Sequence, residues 1–291
     1  MVCYSAEKPD LQATSAVAIF GGKHYGIIPL WRTRTEALMR KLAISLSKGG
    51  VGKTTTAVHL AHGLANEGRE VLLIDMDTQG QAGAFLGVKD EVESRHGLSG
   101  IIEQGTAADE AILSARENLS LLPGGRGLAA VRKTIDMKDI GGERTMIEAL
   151  EPLEEEFDNV VIDTAPGWDS LTVNALFYAA EVLIPVSLES AALESLKAFL
   201  ESLKKVQEYH DSLDVKYVVP TFLDGRVKKS EEVLDILQKH FPERLTPPVR
   251  YNVRLSEAAG LGQTAFEYAP SSASATDYKK LTTYITTNGN G

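Results

Sequence analysis

The chain reads as an α/β protein, a mostly parallel, twisted sheet flanked by helices. Three observations lead there. From residue 41 onward, short apolar runs alternate with longer amphipathic ones, and strands separated by ten or more helical residues require crossover connections and hence parallel pairing. Runs such as Val71-Leu72-Leu73-Ile74 and Val160-Val161-Ile162 are apolar without interruption, the pattern of strands buried within a sheet. A glycine-rich loop, Lys48-Gly49-Gly50-Val51-Gly52-Lys53-Thr54-Thr55, joins the first apolar run to the first helical pattern.

Taken in order, strands are predicted at Lys41–Ser47, Glu70–Asp75, Leu119–Leu122, Asn159–Asp163, Val182–Ser187, Lys216–Phe222 and Thr246–Arg250. Helices are predicted at Gly52–Asn66, Ala107–Ala115, Glu143–Glu154, Ser170–Tyr178, Ala191–His210, Ser230–His240 and Ser274–Ile285. Within the fifth helix, Leu193, Leu196, Leu200 and Leu203 recur at spacings of three and four, an apolar face expected to pack on the sheet. Nothing divides residues 41–287, so residues 39–287 are expected to be a single domain, with 288–291 in a mobile polar tail beginning near Thr286. Residues 1–38 lack sustained periodicity. They are expected to be a poorly ordered or non-native extension, with Met39 as the native start.

Bulk properties narrow the function classes. At 291 residues, 43% hydrophobic and 24% charged, the chain has the composition of a globular protein with a substantial core. No apolar run approaches the ~20 residues of a membrane span. A single cysteine, Cys3, excludes a disulfide framework within one chain. A cytoplasmic location is the expectation. The net charge of −10 argues against a wholesale nucleic-acid binder, yet residues 204–254 hold ten Lys/Arg against eight Asp/Glu. That leaves either a local basic patch on an acidic body or a mixed solvated surface.

The loop carries the chemistry. Between a strand and a helix, glycines let the backbone wrap a phosphate while N–H groups at the helix start point at the anion. Lys53 would reach the β/γ-phosphates and the Thr54 hydroxyl would ligate Mg²⁺. Ser47 stands where the general pattern has its first glycine, and Lys48 is an additional lysine. Two further strands end in carboxylates: Asp75 and Asp77 after Val71–Ile74, and Asp163 after Val160–Ile162. Ligands of open parallel sheets sit at such carboxyl ends. Phosphoryl transfer to water needs carboxylates near Mg²⁺ and a group that orients the water. From pattern alone, acidic residues after a strand could equally cap a helix or close a turn. His59 and His62 share one helix, without an acidic or cysteine partner, and read as helix-surface or core residues. Trp168, beside the Asp163 strand end, reads either as a packing residue or as a reporter of nucleotide state.

Residues 48–55 resemble the deviant Walker A motif of ParA/MinD-type ATPases, in which the additional lysine crosses a dimer interface to the partner's nucleotide. Asp75-Met76-Asp77-Thr78-Gln79-Gly80 resembles the family's switch region, with Thr78 in place of proline. Asp163-Thr164-Ala165-Pro166 resembles its Walker B, with Ala165 in place of proline. Asn252-Val253-Arg254-Leu255-Ser256-Glu257-Ala258 is close to a run in ParA/Soj proteins. The resemblance implies ATP and Mg²⁺ as cofactors, bound at Lys48, Gly49, Gly50, Val51, Gly52, Lys53, Thr54 and Thr55, with Asn252 near the adenine. Thr54, Asp75 and Asp163 would serve the metal, and Asp77 the lytic water. It further implies an ATP-dependent homodimer, a ParB-like stimulating partner, slow hydrolysis, and non-specific double-stranded DNA held by Arg226 and Arg254 on the nucleoid. Each arginine could instead form an intramolecular ion pair, Arg254 with Glu257. Arg250 and Tyr251 replace the family's Pro-Arg. Two other readings stand beside this one: a MinD-like membrane ATPase, disfavoured by the polar end of Asp277–Ile285, and a metabolic ATP-dependent enzyme on the same fold.

Overall fold

A computed structural model describes residues 19–20, 23–24, 39–93, 97–153 and 155–288. Residues 1–38 and 39–291 form two separate compact units. In the first, Ile19–Phe20 pairs antiparallel with Lys23–His24. The expectation of a poorly ordered or non-native extension otherwise falls outside the described residues.

The second unit is built on seven strands: β1 Arg40–Ile44, β2 Val71–Met76, β3 Leu113–Arg116, β4 Leu119–Leu122, β5 Asn159–Thr164, β6 Glu181–Ser187 and β7 Asp214–Thr221. Their spatial order is β3-β4-β2-β5-β1-β6-β7. Only the β3–β4 pair is antiparallel. The uninterrupted apolar runs explain themselves in section. Alternate residues point to opposite faces, so Leu72 and Ile74 enter the core on one side of the sheet while Val71 and Leu73 enter the core on the other.

Four expectations need correction. Ala107–Ala115 is not one helix: Ala108–Ala111 is helical, and Leu113–Arg116 is the edge strand β3. Leu113 and Ala115 are buried while Ser114 is exposed, a period of two, and Asn118 turns the chain at a φ of 57°. Thr246–Arg250 is not a strand. Pro247 and Pro248 have no N–H to give, so pairing is interrupted: Thr246 and Val249 donate to the Val218 and Pro220 carbonyls of β7 at 3.0 and 2.8 Å, with isolated bridges at Leu245 and Arg250. Glu143–Glu154 resolves into a helix at Thr145–Leu150 between two 3₁₀ turns, the second containing Pro152. The last helix runs Ala273–Asn288, past the expected start of the tail; residues 289–291 lie outside the described set.

The leucine stripe is divided. Leu196 and Leu203 are buried in the core, whereas Leu193 and Leu200 are only partly covered. These two border a groove of about 580 Å³ shared with Ile236 and Phe241.

Candidate functional site

Strand order decides where the site forms. β5 lies between β1 and β2, and in register Asp163 is the partner of both Ile44 and Asp75. The glycine-rich loop leaves β1 from this same edge, so three separated segments converge at the carboxyl ends of adjacent strands.

The loop forms the expected cradle. Gly52 precedes helix Lys53–Asn66 at a φ of 89°, with no side chain capping the helix start. A side chain at that φ would be strained, and an ideal Cβ would sit 3.5 Å from the Phe222 ring. The first-turn N–H groups therefore lack intrahelical partners and are available to an anion. Gly49, Gly50, Gly52, Lys53, Thr54, Thr55, Asp77, Gln79 and Thr164 line a cleft of about 380 Å³. Val51 is buried beneath it. Ser47, in place of the pattern's glycine, accepts the Gly167 N–H at 2.9 Å and so ties this loop to the one after β5.

Lys53 is buried, and its Nζ donates to the Lys48 carbonyl at 2.9 Å. Burial lowers its pKa, and the nearby charges of Asp163 and Asp77 oppose that shift. Asp163 is 1% exposed, and neither carboxylate oxygen has a hydrogen-bond partner within ordinary reach. Its pKa is pushed well up by burial and then by Asp75, against a lowering by the Thr54 hydroxyl and Lys53. A buried carboxylate with no close donor other than the approach of a threonine hydroxyl is a half-built cation site. Among the described residues no cluster of three or more His, Cys, Asp or Glu could hold a metal. A cation here would accordingly lean on Thr54, Asp163, phosphate and water.

Asp75 is equally buried, but its oxygens are engaged. Oδ1 accepts the Asp77 N–H at 2.9 Å and Oδ2 the Ala82 N–H at 3.0 Å. Burial raises its pKa to about 6, against those two backbone bonds. Asp75 thus fixes the path of residues 77–82, a task the sequence pattern does not reveal. Asp77 projects to the cleft and its Oδ1 accepts the Gln79 N–H at 2.9 Å. Lys48 folds back onto its own chain, with Nζ 3.4 Å from Glu189 Oε2 and the Glu189 side chain 70% exposed. Glu189 gives no signal in the sequence, since 141 residues separate it from Lys48.

A family model described as an AAA domain matches residues 39–215. The chromosome-partitioning ATPase Soj of Thermus thermophilus is 36% identical over 84% of this chain and 95% of its own length. The chain belongs to the ParA/Soj family. Solved structures agree with the fold. A putative plasmid partition protein of Borrelia burgdorferi bound to AMPPNP is 25% identical at a TM-score of 0.74, over 86% of this chain and 99% of that one. Cobyrinic acid a,c-diamide synthase of Mycobacterium smegmatis with ADP and magnesium is 27% identical at a TM-score of 0.75, over 87% and 96%.

Other residues singled out in this ParA/Soj chain lie outside the cleft. Asn252, the residue expected near the adenine, caps helix Val253–Gly260 by accepting the Arg254 N–H at 2.9 Å. Arg250 is locked by two bonds to Asp277, while Tyr251 is 64% exposed. Arg226 pairs with Asp224, whose pKa that guanidinium holds low, and Arg254 pairs with Glu257 at 2.7 Å. His59 and His62 are core residues. His59 donates from Nδ1 to the Thr55 carbonyl and accepts the Ala265 N–H at Nε2, which fixes a neutral tautomer. Trp168 is 36% exposed and meets Phe199 edge-on at 5.7 Å.

Proposed function

We propose that this ParA/Soj protein is a partition ATPase working as an ATP-held homodimer, with residues 39–287 carrying the activity. ATP and Mg²⁺ are its cofactors. The carrying observation is the cleft with the carboxylate behind it: a donor-rich cradle at Gly52–Thr55 lined also by Asp77, and the buried Asp163 acted on by the Thr54 hydroxyl and Lys53. Thr54 and Asp163 would hold the cation, with Asp75 supporting the shell by fixing the loop above it. Bound Mg²⁺ neutralises charge on the phosphate oxygens. Lys53 binds the β/γ-phosphates and Asp77 orients the attacking water. Lys48 leaves Glu189 and reaches the partner's nucleotide.

In the ATP dimer, Arg226 and Arg254 hold DNA through phosphates, without sequence preference. Both guanidiniums are exposed while Asp224 and Glu257 are half-buried; ion pairs of exposed arginines contribute little, so exchange for phosphate is not opposed by the fold. A ParB-like protein stimulates slow hydrolysis and releases the dimer from nucleoid DNA in the cytoplasm. A gel shift with ATP, ADP and no nucleotide tests the scheme; retention independent of nucleotide would refute it. Arg254→Ala is expected to weaken retention while leaving ATP affinity intact. Its log–log salt slope should be shallower by about 1.8, because the dimer carries two copies of Arg254 and neutralises two fewer phosphates. Unchanged retention across a salt series would remove Arg254 from the DNA surface.

Glu189→Gln gives a further expectation. Because the Lys48–Glu189 pair is weak, removal of the anion shifts the ATP midpoint for dimerisation downward by no more than about fivefold, the equivalent of ~1 kcal/mol. Titration by light scattering measures it, and an upward shift would contradict the release of Lys48.

The MinD-like reading finds no support in the last helix. Tyr278, Leu281 and Ile285, its main apolar residues, are buried in the core that includes helix Lys53–Asn66, so they are not free to enter a bilayer. No described helix is long and apolar enough to cross a membrane. The likeness to a protein named as a diamide synthase makes phosphate release with and without DNA a useful control against a biosynthetic role.

A further inference from the structure

Arg116 ends β3, on the edge strand that the sequence pattern conceals, and engages all five of its N–H donors. Nε and Nη2 reach the Glu267 carboxylate at 2.6 and 3.2 Å. Nη1 donates to the carbonyls of Leu86 at 2.8 Å and Ala115 at 2.6 Å. Nη2 also donates to the Gly262 carbonyl at 3.0 Å. These acceptors belong to different functional segments. Leu86 closes helix Gln81–Phe85, whose start is tied to Asp75 through the Ala82 N–H. Gly262 follows the end of helix Val253–Gly260, which carries Arg254.

The two ends touch directly. Gly87 has a φ of 70°, and a Cβ there would lie 2.8 Å from the Gly262 carbonyl oxygen. Any substituent would force the segments apart. Glu267 finishes the junction: it accepts the Thr264 N–H at 2.8 Å, and the Thr264 hydroxyl meets His62 Nδ1 at 2.8 Å, on the helix that starts at the phosphate cradle.

We infer that Arg116 is the positioning residue that couples the nucleotide-facing loop 77–82 to the helix carrying Arg254. It does so by holding Leu86 and Gly262 in one guanidinium fork anchored on Glu267. A change in the path of residues 77–82 on nucleotide binding is then passed through helix Gln81–Phe85 to helix Val253–Gly260 as a body. The DNA consequence rests on the partition reading above; the mechanical coupling does not. A lysine cannot replace the fork, because three donors on one atom cannot span acceptors on three segments.

The test uses the full chain and compares wild type with Arg116→Met, Arg116→Lys and Glu267→Gln. Amide hydrogen exchange is followed at residues 261–268, none of which line the cleft, with Mg-ATP and without nucleotide. DNA retention is read in parallel as the ratio of ATP to ADP values. In wild type, Mg-ATP is expected to slow exchange at 261–268. In both Arg116 variants Mg-ATP binds with wild-type affinity, but that slowing disappears and the retention ratio falls toward one. Glu267→Gln keeps an acceptor for Thr264, so the local fold survives while the fork weakens; partial loss of both signals is expected. Wild-type slowing in all three variants, or its absence in wild type, overturns the inference. So does a loss of ATP affinity that accounts for the missing signal. If exchange couples in wild type but DNA retention never depends on ATP, the coupling stands and the DNA reading falls.

Discussion

Asp77→Ala is expected to bind Mg-ATP as the wild type does and to accumulate as a dimer that does not turn over. Positioned proton-transfer groups contribute about 10²- to 10⁴-fold to rate, and the fall in hydrolysis should lie in that range. The loop around Asp77 should survive. The Asp77 backbone carbonyl, which no substitution removes, accepts the N–H groups of Gly80 and Gly125 at 3.0 and 2.9 Å. Asp75 holds the same loop from below. Only the hydrogen bond from the Gln79 N–H to Oδ1 goes with the side chain. Asp77→Asn retains a carbonyl oxygen for that bond while removing the charge, so it separates loop geometry from chemistry. Both variants should be equally inactive in a phosphate-release assay under saturating Mg-ATP. Wild-type turnover in either would exclude Asp77 from the chemical step.

Lys48→Ala should yield a protein that binds nucleotide but stays monomeric with ATP, as read by light scattering. The physical basis is a division of labour between two lysines. Lys53 is buried in its own cleft, whereas Lys48 is only half-buried, 3.4 Å from an exposed carboxylate. Removing Lys48 therefore leaves the local phosphate site intact. Stability should change by less than ~1 kcal/mol, since the pair it abandons is long and its carboxylate is solvent-exposed. Removal of one preorganised donor from developing phosphate charge costs about 10²- to 10³-fold in turnover, and the missing interface adds to that. A variant that dimerises normally with ATP would mean that Lys48 remains bound to Glu189 throughout the cycle.

The legible parts of this molecule are those in which local sequence and tertiary role coincide. Val71–Ile74 and Val160–Ile162 are apolar on both faces because both faces are covered, and a covered strand needs no partner information to be read. The cradle is equally plain, because the positive φ of Gly50 and Gly52 permits few residues other than glycine. The hidden parts depend on long-range partners. Asp75 has the sequence pattern of a metal residue, and only the folded loop shows its oxygens taken by Asp77 and Ala82. Arg116 meets Glu267 across 151 residues, on a four-residue strand too short to show its period against the preceding helix. Thr246–Arg250 runs beside β7 and bonds to it through Thr246 and Val249, but the two prolines between them interrupt the ladder.

The place of β1 near the middle of the sheet has a temporal consequence. Its flanking strands are β5, at residues 159–164, and β6, at residues 181–187. During synthesis the loop at residues 48–55 thus emerges long before either neighbour exists to seat it. Binding competence should arrive abruptly, once well over half of the chain has left the ribosome, and nascent fragments ending before residue 181 should fail to protect ATP-site amides.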